Sequence, residues 1–104
     1  MTLNATERHR TGEEFAHNLA LTGLAPHDVA ADLAFTPERL RRTLDLDPAS
    51  DPVDVWQLRD YLQQAVLDAG GTPVPYTVLT RHSRIKARVW FRLREAPRHD
   101  FTAP

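Results

Sequence analysis

The chain has no cysteine, so it forms no disulfide and offers no thiolate nucleophile or soft metal ligand. It has four glycines, none spaced to cradle a phosphate, and neither a G-x-S-x-G nor an H-E-x-x-H pattern. No catalytic residue and no cofactor is therefore expected. No apolar run has the length of a membrane span. The N-terminal stretch MTLNATERHR is polar and charged and lacks the apolar segment of a secretory leader. These absences leave a soluble cytoplasmic protein, with no membrane partner, as the expectation. Lysine occurs only at Lys86 and every other cationic side chain besides histidine is arginine, as in products of GC-rich genomes.

What is present is ordinary in bulk and uneven in placement. A chain of 104 residues with 41% hydrophobic and 26% charged residues is one globular domain. The net charge is −1, yet residues 1–80 carry six arginines against twelve carboxylates, a balance of −6. Residues 81–104 carry seven cations against two carboxylates, a balance of +5. A cationic end suits an anionic partner or the acidic body of the chain itself.

Helix signals dominate. Asn4 and Glu7 have the spacing of a capping box, and Gly23 suits the left-handed residue after a helix, which predicts a first helix to about Thr22. Its opening TERHRTGEE has no apolar stripe, so those turns are expected to extend off the domain or onto a partner. Pro26 starts a second helix ending by Leu33, and Thr36-Pro37 starts a third ending near Leu44. Across these two helices and the turn between them, Ala30, Leu33, Phe35, Leu40 and Leu44 are the expected buried positions. Asp51-Pro52 opens a fourth helix that runs to about Ala69 before Gly70-Gly71, with Val55, Leu58, Leu62, Ala65, Val66 and Ala69 as its apolar face. Residues 72–79 are extended by their prolines. Residues 80–93 alternate like a half-buried strand, but Ile85, Val89 and Leu93 also repeat at helical spacing; with no second strand to pair with, a helix is predicted. Residues 95–104 are expected to be a disordered tail. The fold class is all-α: four to five helices in one domain over 1–94, with a helix-turn-helix at 26–44 and a C-terminal amphipathic helix.

The order of these elements resembles the repressor-like helix-turn-helix fold. More narrowly, GLAPHDVAADLAFTPERL, DPVDVWQLRDYLQQAV, VPYTVLT and the late Trp90-Phe91 pair resemble a family of short bacterial proteins catalogued as a domain of unknown function, over about residues 3–93. The resemblance implies a small helical domain and supplies no activity, ligand or catalytic residue. DNA-binding relatives of the repressor-like fold often open the second helix with Ser or Thr followed by Gln; here the positions are Ala25 and Pro26, which donate nothing to a phosphate.

Two functions follow as expectations. In the first, the protein is a transcriptional regulator that binds double-stranded DNA. Its third helix would enter the major groove, with Arg39, Arg41 and Arg42 on phosphate or guanine. In the second, the helix-turn-helix is a scaffold for a protein partner, since Glu38 and the acidic body would repel phosphates. A homodimer is expected, with Trp90 or Phe91 at its interface, because aromatic side chains dominate interface energetics. Arg81, Arg84, Lys86, Arg88, Arg92 and Arg94 form the denser basic set around those rings. His9, Glu13 and His17 share a helix face, but no fourth ligand matches them and no metal site is expected.

Overall fold

Val55, Leu58, Leu62, Ala65 and Val66 recur at three- and four-residue steps, and this stripe makes the helix that bears them the centre of the fold. A computed structural model describes residues 3–102. It contains helices α1 (Ala5–Thr22), α2 (Pro26–Leu33), α3 (Pro37–Leu44), α4 (Pro52–Asp68) and α5 (Arg81–Trp90), and no strand among the described residues. The protein is therefore all-α. Helix α1 packs along α4, and the α2–α3 pair closes the other flank. Phe15, Val29, Leu58, Leu62 and Leu79 are fully buried between them, with Trp56 and Tyr61. No helix among the described residues is long and apolar enough to cross a membrane.

Local signals fix the helix starts. Asn4 and Glu7 exchange bonds of 2.8 and 3.0 Å as a capping box. Thr36 Oγ1 accepts the Arg39 N–H, and Asp51 Oδ1 accepts the Val53 N–H. The α2–α3 turn is tight because Ala34 adopts the left-handed region, φ 57° and ψ 38°. That conformation costs a residue with a Cβ about 1 kcal/mol. Ala34 is exposed and loses no packing on truncation, so Ala34→Gly is expected to raise stability by about 0.5–1 kcal/mol in urea unfolding. A variant less stable than wild type would show that the turn is not strained.

Several expectations need correction. The early turns of α1 do not project from the domain. Thr11 is fully buried, Glu14 is buried and accepts from Thr77, and Asn18 is fully buried against Val74. Leu44 is half-buried rather than buried. Helix α5 ends at Trp90, three residues before the expected Leu93, because the backbone turns extended at Phe91 (φ −133°, ψ 142°). This break separates the two rings. Phe91 packs on the core, whereas Trp90 is 73% exposed.

Residues 95–102, expected as loose tail, have no regular structure but run back along α4. Gln57 Nε2 donates to the Glu95 carbonyl at 3.0 Å, Arg98 bonds Asp68 at 2.7 Å, and His99 Nδ1 meets Asp32 Oδ2 at 2.6 Å. The same Asp32 oxygen accepts from Tyr61 at 2.5 Å. Burial, together with that carboxylate, pushes the Tyr61 phenol far above its ordinary value, so it stays a donor. Residues 103–104 of the expected tail lie outside the described residues.

Candidate nucleic-acid interface

Helix α3 buries Leu40 and Thr43 and turns Glu38, Arg41, Arg42 and Asp45 outward. Arg39 lies between these faces. Its guanidinium stacks 4.1 Å from the Phe35 ring and grips Asp54 of α4 with both Nε (2.8 Å) and Nη2 (2.7 Å). The Arg39–Asp54 hydrogen bond raises the guanidinium further above its ordinary value. Asp54 is almost wholly buried. Burial alone would raise its carboxyl, but the bond and charge of Arg39 and the charge of Arg94 outweigh burial and hold it below the usual range.

Of the three arginines expected to contact DNA, Arg39 is thus committed to the fold. Arg41 is on the open face but paired, with Glu38 at 2.5 Å and Asp45 at 3.5 Å. The bond and charge of Arg41 hold the Glu38 carboxyl below its ordinary value. Arg42 is exposed and makes no ion pair among the described residues. The outward face of α3 is therefore mixed in sign, with a single uncommitted cation.

The richer cationic surface is formed by the basic set of residues 81–94. Helix α5 is capped by Thr80, whose Oγ1 accepts the Ser83 N–H, and reaches the core through fully buried Ala87. Arg84 pairs with Asp60, which also takes Arg59 at 3.1 Å, and stacks on Trp56 at 4.9 Å. The chain then turns at Phe91, so Arg84, Arg88, Arg92 and Arg94 come together around one cleft of about 460 Å³, against two carboxylates, Asp60 and Glu95, in the same wall. Arg88 and Arg92 are exposed and make no ion pair among the described residues. Arg94 reaches back to Asp54, the carboxylate already held by Arg39. A row of arginines consequently runs from α3 through Asp54 to the α5 cleft. The sequence placed Arg94 in its basic set, but the meeting of Arg94 and Arg39 on Asp54 joins positions 40 and 15 residues apart and has no local motif.

His9 pairs with Glu13 at 2.6 Å on an exposed stretch of α1, and His17 is exposed. Among the described residues no group of three or more His, Cys, Asp or Glu side chains is placed to hold a metal ion.

These features define a small five-helix, all-α protein with a mixed-charge α3 and a cationic cleft beside α5. The chain belongs to the family described as "Uncharacterized protein conserved in bacteria (DUF2316)", whose model matches residues 1–92. Comparison with curated proteins and with solved structures gave no match.

Proposed function

We propose that the protein is a helix-turn-helix regulator of the repressor-like kind that binds duplex DNA through its backbone more than through its bases. The arginine row from α3 to the α5 cleft supports this reading. Arg42, Arg88 and Arg92 have no ion pair among the described residues, so each gains a charge-assisted bond on meeting a phosphate without breaking one there. Arg41 must instead exchange its carboxylates for the ligand. Pro37 and Glu38 at the start of α3 leave little for base-edge readout, so affinity is weak and strongly salt-dependent.

The test is fluorescence anisotropy with genomic fragments at two salt concentrations. Arg88→Ala/Arg92→Ala is expected to weaken binding about tenfold and to lower the salt slope by roughly 2. Arg41→Ala/Arg42→Ala should remove binding while leaving the fold intact, since neither side chain is buried. Wild-type protein that binds no fragment at low salt overturns the proposal, and an unchanged Arg41→Ala/Arg42→Ala variant takes α3 out of the surface. The second reading, a scaffold for protein contact, is favoured by the Glu38–Arg41–Asp45 network on the same face.

A further inference from the structure

Helix α5 leaves an apolar ridge in solvent. Ile85 is 61%, Val89 76% and Trp90 73% exposed, and the first two are one turn apart. Exposed Arg81, Lys86 and Arg88 surround them, without an ion pair among the described residues, and no carboxylate stands on the helix. A contiguous apolar patch of this kind marks a contact surface. Two-fold packing of α5 on a second α5 would bring these cations against their own copies with nothing to neutralise them.

The complement lies on the same chain. Between α2 and α3 runs a groove of about 360 Å³ walled by Pro26, Ala30, Pro37, Leu40 and Leu44, with Asp45 at its edge. Its cations are answered on the spot: Arg41 lies between Glu38 and Asp45, and His27 is 3.3 Å from Asp28. The groove is therefore apolar, and its rim sets three carboxylates, Asp28, Glu38 and Asp45, against the one guanidinium of Arg41, whereas the ridge is apolar with basic flanks.

We infer that the protein self-associates head to tail, the α5 ridge of one copy seated in the α2–α3 groove of another. Ridge and groove are different patches, so the contact either closes as a reciprocal pair or extends as a chain. One helix in one groove is a small interface, and association is weak and concentration-dependent. The inference goes beyond DNA binding and does not depend on it. It also separates the aromatic pair: Trp90 belongs to the contact, and Phe91 to the core.

Light scattering across a concentration series tests this in the absence of nucleic acid. The mass of the full chain should rise above 11.8 kDa with concentration. Ile85→Gln/Val89→Gln removes the ridge and Glu38→Lys/Asp45→Lys reverses the rim. Both pairs are exposed, and circular dichroism confirms that each variant is folded. Each variant alone should associate about tenfold more weakly or stay at 11.8 kDa. Mixed, they should form a complex, because one retains the ridge and the other the groove. A wild-type mass that never rises overturns the inference. So does a rim variant that still self-associates, which would place α5 against α5, or a mixture that fails to combine.

Discussion

Replacing Asp54 with alanine is expected to cost about 2–3 kcal/mol of folding stability and to lower the melting temperature by roughly 10–20 °C. The side chain accepts two bonds from Arg39 and another from Arg94, and it sits in the first turn of α4, where the helix dipole favours a negative charge. Removing one partner of a fully buried pair costs more than this, because a charge is stranded. Here the two guanidiniums keep part of their exposure, 35% and 48%, and recover some solvation from water. The pH dependence carries the signature. The folded carboxyl lies below its ordinary value, so folding favours the ionised form. That contribution is complete above about pH 4 and is lost as pH falls through the lowered value. The stability gap between wild type and Asp54→Ala should therefore be level from neutral pH down to about 4 and close below it. Equal melting of the two proteins at neutral pH would show that the Arg39–Asp54–Arg94 node is not a support.

How far the sequence could be read depends on whether a feature is local. Helices α2 and α3 take the expected bounds because their starts are written within four residues, in Pro26 and in Thr36-Pro37. The direction of Arg39 was not legible. Its neighbour Leu40 faces the core and Arg41 faces outward, so an arginine between them lies at the edge of either face. A carboxylate fifteen positions further along decides the matter. Trp90 and Phe91 read as a pair in the sequence, but a change from helix to extended backbone falls between them and sends them to opposite surroundings. The course of residues 95–102 was hidden for a related reason. Its anchors are single contacts to Gln57, Asp68 and Asp32, without the periodicity that marks a helix or strand.

The buried polar side of α1 was the least legible feature, and it supports the largest effect expected outside Asp54. Asn18 reads as a surface residue, yet it is fully buried. Its Oδ1 accepts the Val74 N–H at 2.7 Å and its Nδ2 donates to the Val74 carbonyl at 3.0 Å. Pro73 and Pro75 have no N–H, so Val74 is the donor that this stretch of backbone offers, and one amide side chain satisfies both of its polar groups. Asn18→Leu is close in volume and adds apolar surface, but it leaves the Val74 N–H and carbonyl without partners. Each unsatisfied group costs about 1–3 kcal/mol, and half-buried Val74 regains part of that from water, for a net loss of about 2–3 kcal/mol. The damage should be directional. The segment after Val74 carries Tyr76 and Leu79 into the core and delivers Thr80 to cap α5. Loosening it should admit protease between residues 72 and 80 and speed amide exchange in α5, while α2 and α3 stay protected. An Asn18→Leu protein as stable as wild type, with the 72–80 segment still resistant to cleavage, would show that the two bonds hold nothing in place.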